Sequence, residues 1–228
     1  MTAFDAKEVQ GDVVVGLLKQ VECFLFVRIT DKDGFLQVLA DNARHLITST
    51  AKAQAQRDKA KKFKGENNGA HMEMTAVNIA FSAKGLKALR VDQEGLDTEV
   101  FGKGQEKHAV AALGDLGDGA NPLSWEPLFK GKKIDAVWIV TGSDQGSVDA
   151  KIKEIVRLFH GSFAELGREY GKVRKAGNGK ENPLERREHF GKNCELIVIP
   201  QLGLTLSLSL KRIRGWHLLS PHQGLPYP

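Results

Sequence analysis

The sequence contains 228 residues with 41% hydrophobic and 27% charged content and a net charge of +5, proportions that exclude disordered, collagen-like and coiled-coil proteins. Its two cysteines, Cys23 and Cys194, exclude a disulfide framework, and neither lies at the spacing of a zinc or redox motif. No apolar run approaches the roughly 18 residues of a membrane span, and Asp5, Glu8 and Asp12 interrupt any secretory signal, so we expect a cytoplasmic protein that binds no membrane.

The N-terminal part of the chain predicts two strands and a helix. Residues 12–18 and 22–30 are β-branched and aromatic runs of strand length. Residues 33–45 carry apolar side chains at helical spacing, and either Asp31 or Asp33 is placed to cap the first turn. A strand, a second strand and a helix are therefore expected in this order.

A long polar stretch separates this helix from the next predicted strand. It covers about 25 residues, which is long for a loop in a compact domain, and predicts an insertion or a mobile surface segment. Residues 75–81 then predict a strand. Ser82 is the expected N-cap of a short helix over residues 83–91.

The second half repeats the pattern after a glycine-rich region. Residues 92–133 lack clear periodicity and predict loops. Residues 134–141 predict a strand, residues 144–160 a helix with one apolar stripe, and residues 162–174 a final strand that Gly171 ends or bulges. The apolar residues expected to be buried between the helix and the preceding strand are Val137, Ile139, Val148, Ile152, Ile155, Val156 and Phe159.

The order of these elements defines the expected fold class. A strand–helix–strand unit followed by a second strand–helix–strand unit is the split βαβ, or ferredoxin-like, arrangement. It predicts an α+β domain with an antiparallel sheet whose one face is covered by helices.

Positive charge is concentrated between residues 52 and 64, which hold six basic residues against one acidic residue. This composition is typical of a solvated helix or loop, and only Phe63 is interleaved to stack on a base. We expect no nucleic-acid partner, although binding of an anionic polymer stays open as an alternative. The basic residues are Lys52, Arg57, Lys59, Lys61, Lys62 and Lys64.

Common catalytic motifs are not found in the sequence. Gly179 and Lys180 come nearest to a P-loop, but Arg174 stands in place of the first glycine and Glu181 in place of the hydroxyl residue. No GxGxxG opens a helix after a strand, and GxSxG and HExxH are absent. The sequence therefore supports neither a nucleotide site of these classes nor a motif-defined hydrolase.

Titratable residues also fail to form a motif. Asp115 and Asp118 lie in a Gly/Asp stretch that is typical of ordinary turns. The seven histidines are scattered rather than placed at metal-ligand spacing, so no metal site is predicted. They are His45, His71, His108, His160, His189, His217 and His222.

Several short motifs, taken in order, resemble the N-terminal half of the dye-decolourising peroxidases. The resemblance covers roughly residues 9–191, and its most specific parts are VNIAFSAKGLKALRV at residues 77–91 and EHFG at residues 188–191. The supporting residues are Gln10, Gly11 and Asp12, then Ile47, Thr48 and Ser49, then Leu113, Gly114 and Asp115, and then Gly171, Lys172, Val173 and Arg174.

The resemblance implies a haem b peroxidase that uses hydrogen peroxide and an aromatic electron donor such as a phenol or a dye. It also implies two ferredoxin-like domains packed as an α/β barrel, of which this chain carries the first. In the family, EHFG leads into a GFxDG stretch whose aspartate relays a proton during peroxide cleavage. The resemblance implies that His189, Phe190 and Gly191, in the EHFG segment, bind the haem. Because the match ends at Gly191, the resemblance transfers no catalytic residue and no metal ligand.

Residues 192–228 resemble neither the family nor the sequence before them. Leucine alternates with threonine and serine at residues 204–210, and Pro221, Pro226 and Pro228 follow. Gly191 and Lys192 can be encoded by GGTAAG, the form of a common splice donor. We expect a short arm over residues 1–9, a ferredoxin-like domain over residues 10–191, and an unrelated, irregular tail that makes the chain a truncated product.

Three functions agree with these observations. The first is a haem peroxidase by descent, which is expected to be inactive without its second half. The second is a non-catalytic ferredoxin-like module that pairs edge to edge with another copy as a homo-oligomer. The third is binding of an anionic polymer between Lys52 and Lys64.

Overall fold

The structure is a computed structural model and describes residues 5–91, 98–104, 106, 125–131 and 133–173. Its centre is a four-stranded sheet in the order β2-β3-β1-β4, in which every neighbouring pair is antiparallel. The strands are β1 (Val21–Ile29), β2 (Thr75–Phe81), β3 (Ala136–Gly142) and β4 (Phe163–Lys172). This order confirms the predicted α+β, ferredoxin-like class.

The helices lie between the strands in the predicted alternation. The two helices of the split βαβ arrangement are α2 (Lys32–Leu46) and α6 (Gln145–Leu158). A further long helix, α3 (Thr50–Glu66), follows α2. The short helices are α1 (Gly11–Val14), α4 (Ala83–Ala88) and α5 (Thr98–Lys103), and residues Pro127–Phe129 form one turn of 3₁₀ helix.

Side-chain caps fix where four of these helices begin. Asp31, Ser49, Ser82 and Asp144 each accept a backbone N–H three residues further along the chain. The prediction of Ser82 as an N-cap is confirmed, and of the two candidates before α2 it is Asp31 that caps the helix.

The main core lies between the sheet and the helices α2 and α6. Phe159 is its centre, with ring centroids 5.0 Å from those of Phe35 and Trp138. Alternate residues of each strand reach this side because successive side chains of a strand point to opposite faces. The largest buried members are Trp138, Phe35, Phe159, Leu25, Leu39, Ile79, Leu86, Ile152 and Ile155.

One predicted element of the N-terminal half is wrong, and another is resolved between two alternatives. Residues 12–18 do not form a strand, because Asp12 lies in α1, Gly16 adopts a positive φ of 76°, and the Asp12 carboxylate accepts the N–H of Leu17. This local turn chemistry overrides the β-branched composition. Of the solvated helix or loop expected in the polar stretch after α2, the structure has the helix α3, since the Lys, Ala and Gln residues there have high helix propensity.

Two details of the second half also differ from the prediction. Val137 and Ile139 point away from α6, and the helix packs on Ala136, Trp138 and Val140 instead, because a strand reverses its face at each residue. The bulge in β4 lies at Leu166 rather than at Gly171, which pairs regularly with Glu22.

Candidate functional site

The sheet face opposite α2 and α6 is also apolar, and we call it the open face. It carries Phe24, Phe26 and Val137, with exposed fractions of 7%, 1% and 6%. The 3₁₀ turn packs on part of it, since Phe129 meets Phe26 edge to face at 5.4 Å. A sheet that is apolar on both faces requires a covering layer on each, and the low exposure of these three side chains shows that the chain itself already covers this part of the face.

A buried acidic side chain stands at one end of the open face. Glu22 is 3% exposed, and its Oε1 lies 2.8 Å from the Nζ of Lys19. The residue directly across from it in β3 is Thr141, whose hydroxyl oxygen is buried without a hydrogen-bond partner. Burial raises the pKa of the Glu22 carboxyl above its ordinary 4.5, and the attraction of Lys19 opposes this effect only in part.

The raised pKa of Glu22 predicts a specific pH dependence of stability. A carboxyl whose pKa is higher in the folded state contributes stability that is full below about pH 4.5 and is lost as the pH rises through the folded value. In urea titrations over a series of pH values, the free energy of unfolding of the natural chain should therefore fall with rising pH relative to that of Glu22→Gln, which cannot ionise.

The partly exposed Glu154 on α6 provides the control for this experiment. Its side chain is 38% exposed, so Glu154→Gln should leave the shape of the pH curve unchanged. Parallel curves for the natural chain and Glu22→Gln would contradict a raised pKa at Glu22.

The Gln-Gly-Asp and VNIAF motifs form a network of hydrogen bonds at the outer edge of β2. The side-chain amide of Gln10 donates to the carbonyl of Ile79 at 3.0 Å and accepts its N–H at 2.8 Å. The side-chain oxygen of Asn78 accepts the N–H of Asp12 at 2.9 Å, and its amide donates to the carbonyl of Thr48 at 2.9 Å. These residues attach the N-terminal segment to the sheet, so their role here is structural.

The end of the VNIAFSAKGLKAL motif has a similar role. Ser82 Oγ caps α4 and donates to the carbonyl of Ile134 at 2.8 Å. Gly85 faces the backbone of Asp135 so closely that a Cβ would overlap its carbonyl oxygen. Asp135 in turn accepts the N–H of Ile29 at 3.0 Å and pairs with Lys84 at 2.9 Å. The motif therefore joins α4 to the strands β1 and β3.

Cys23, the cysteine in the described part of the chain, is unsuited to act as a nucleophile. Cys23 is fully buried, and burial raises its pKa to about 11, so the reactive thiolate is scarce near neutral pH. Burial, followed by the hydrogen bond that its hydroxyl donates to Asp149 at 2.8 Å, raises the pKa of the neighbouring Tyr170 to about 12.

Within the described ranges, no residue is identified as a ligand of a haem iron. His45, His71 and His160 are exposed on the surface, and Cys23 lies in the helix-covered core. No group of three or more His, Cys, Asp or Glu residues in this part of the chain is arranged to hold a metal ion. We therefore derive no chemical step through a haem here.

The remaining predicted site residues have different outcomes. His189, Phe190 and Gly191, and the pair Asp115 and Asp118, lie outside the described residues. The basic residues between Lys52 and Lys64 lie on α3, where they are exposed and surround the helix on several sides rather than forming one face. None of the described helices combines the length and apolar character needed to cross a membrane.

Sequence inspection missed Glu22 and Gln10 as functional or structural groups. Glu22 has a visible signal, because it is the single acidic residue in the apolar run VECFLFV. Gln10 belongs to the Gln-Gly-Asp motif, but its structural role gives no local signal, since its partner Ile79 is 69 positions away in the sequence.

Comparison with known proteins gives one consistent result. Residues 8–175 match the family model described as the DyP dimeric alpha+beta barrel domain. The chain is 32% identical over 184 residues to the dye-decolorizing peroxidase msp1 of Mycetinis scorodonius and 30% identical over 189 residues to a dye-decolorizing peroxidase of Mycena epipterygia. These matches cover 81% and 83% of this chain but 31% of each relative, so the chain spans less than a third of the curated relatives that it matches.

Solved structures agree with the sequence comparison. An ancestral D-type dye decolorizing peroxidase superposes with a TM-score of 0.68 at 36% identity, over 77% of this chain and 36% of that chain. A variant of the dye-decolorizing peroxidase from Pleurotus ostreatus gives a TM-score of 0.64 at 31% identity, over 76% of this chain and 37% of that chain.

Proposed function

Because this chain belongs to the family of the DyP dimeric alpha+beta barrel domain, we propose that it forms the N-terminal half of a haem peroxidase. The proposed reaction is the oxidation of phenolic or dye substrates by hydrogen peroxide. The names of its relatives, which are dye-decolorizing peroxidases, support this reaction. The proposed domain extends over residues 10–191, and residues 192–228 form a tail that takes no part in the barrel.

The open face carries the proposal. Phe24, Phe26 and Val137 make this side of the sheet apolar, although α2 and α6 already cover the other side. These side chains are already buried within the chain, so this face is suited to the interior of a barrel, where two sheets pack face to face. In the proposed function, the described residues supply one wall of the barrel and exclude water from its interior.

The haem-side segment of this proposal is His189, Phe190 and Gly191, as the resemblance implies. The aspartate that follows this segment in the family has no counterpart after Gly191. A missing general acid–base group typically lowers the rate by about 10² to 10⁴. We therefore propose that efficient peroxide cleavage needs groups from a second half of the barrel.

An assay of the full chain with hemin tests this requirement. With hydrogen peroxide and a phenolic donor, the chain with hemin should turn over no faster than free hemin. Turnover well above free hemin that disappears in His189→Ala, His217→Ala or His222→Ala would contradict the requirement and identify that histidine as an iron ligand.

Addition of a second half tests the peroxidase function itself. The separately purified C-terminal half of the Mycetinis scorodonius relative should co-elute with the chain, and the mixture with hemin should show a Soret band and turnover above either half. Ile139→Lys, on the open face, should abolish this gain, whereas Val14→Lys, at a position that is 55% exposed on α1, should retain it. Co-elution without any gain in turnover would contradict the function.

A further inference from the structure

The two outer edges of the sheet differ in how their backbone groups are satisfied. At the β2 edge, Gln10 occupies both backbone groups of Ile79. Thr48 does the same for Val77: its N–H donates to the Val77 carbonyl at 2.8 Å, and its hydroxyl accepts the Val77 N–H at 3.0 Å. Side chains and a short segment thus close this edge against a further strand.

The opposite edge is formed by β4. It has ten residues and pairs with β1 alone among the described strands. Glu165, Arg168, Glu169 and Tyr170 are exposed along it. A strand of this length with an outer row of backbone donors and acceptors is a template for pairing with another chain.

The bulge in β4 changes which side chains share a face. Phe26 pairs with Gly167 and Val27 with Glu165, so Leu166 is the extra residue. Residues three apart normally lie on opposite faces of a strand, but the bulge places Glu165 and Arg168 on the same side. They form a bidentate ion pair, with both nitrogen–oxygen distances at 2.7 Å.

The pattern of faces on which the side chains of β4 lie is symmetric about the bulge. Phe163, Glu165, Arg168 and Tyr170 pair with residues of β1 that face the helices, whereas Ala164, Gly167 and Glu169 pair with residues on the open face and Leu166 packs there. A twofold axis between Leu166 and Gly167 would therefore match every residue from 163 to 170 with a residue on the same face of a second copy.

Pairing about the same axis also brings together opposite charges and two aromatic side chains. It places Glu165 opposite Arg168 of the second copy, and Arg168 opposite the second Glu165, so two ion pairs form across the contact. It also places Phe163 opposite Tyr170, an aromatic cross-strand pair. We propose that two copies of this chain associate edge to edge through antiparallel β4 strands, centred between Leu166 and Gly167.

The test is the oligomeric state of the full chain. Sedimentation equilibrium over about a hundredfold range of concentration should show a monomer–dimer equilibrium. Glu165→Lys places lysine opposite Arg168 and should raise the dimer dissociation constant by about tenfold or more, because like charges meet at both symmetric positions. Arg168→Glu should act in the same way, and the double variant Glu165→Lys/Arg168→Glu should restore dimerisation.

A charge reversal on α6 controls for general effects of charge. Lys151→Glu breaks the pair with Glu154, whose Nζ–Oε2 distance is 2.6 Å, and should leave the dissociation constant unchanged. Far-ultraviolet circular dichroism confirms that each variant is folded. A monomer at every concentration, or a dimer that both single reversals leave intact, would overturn the proposal, and the second result would assign the contact to another surface such as the open face.

Discussion

Replacing Gly85 with alanine should lower the free energy of unfolding by about 3 kcal/mol, the upper end of the range for overpacking a well-packed site. The added methyl group would overlap the carbonyl oxygen of Asp135 and lie 2.7 Å from its carbonyl carbon. Both are rigid backbone atoms, and the Asp135 carbonyl also accepts the N–H of Ser82 at 3.0 Å. Relief therefore requires α4 to move away from the start of β3.

Urea unfolding followed by circular dichroism measures this loss. Gly65→Ala is the matched control, since no atom lies within 4 Å of a Cβ at this position in α3. That change should stabilise the protein by about 0.5–1 kcal/mol, because alanine loses less backbone entropy than glycine in a helix. Similar free energies of unfolding for the two variants would contradict the close contact between Gly85 of α4 and the Asp135 backbone before β3.

Truncating Ile152 to alanine should cost about 2 to 5 kcal/mol. Ile152 is fully buried on α6, in the core that also contains Phe159 and Trp138. Its removal deletes apolar contacts and leaves a cavity that the surrounding aromatic rings cannot fill without leaving their rotamers.

The control is Val14→Ala in α1, where the side chain is 55% exposed. A surface change of this kind should alter the free energy of unfolding by less than about 0.5 kcal/mol. A cost for Ile152→Ala as small as that of the control would mean that the apolar stripe of α6 faces solvent.

Sequence periodicity was sufficient where the pattern was long and unbroken. It predicted β1, β2, β3, α2 and α6, and it identified Ser82 as a cap, because hydrophobic spacing and capping act over a few neighbouring residues. It failed at residues 12–18, where β-branched residues suggested a strand. There Gly16 and the contacts of Asp12 with Asn78 and Leu17 select a turn.

The sequence by itself therefore determined the α+β class, the order of the elements and, through its motifs, the family. Only the tertiary structure decided what those motifs do: Gln10 reaches Ile79, Asn78 reaches Asp12, and Gly85 meets Asp135, in contacts that span 50 to 69 positions. It also placed Glu165 and Arg168 on one face, because the bulge that brings them together is visible only once β4 is paired with β1. Local spacing carries no information about such distant contacts, since they depend on how the strands are arranged in space.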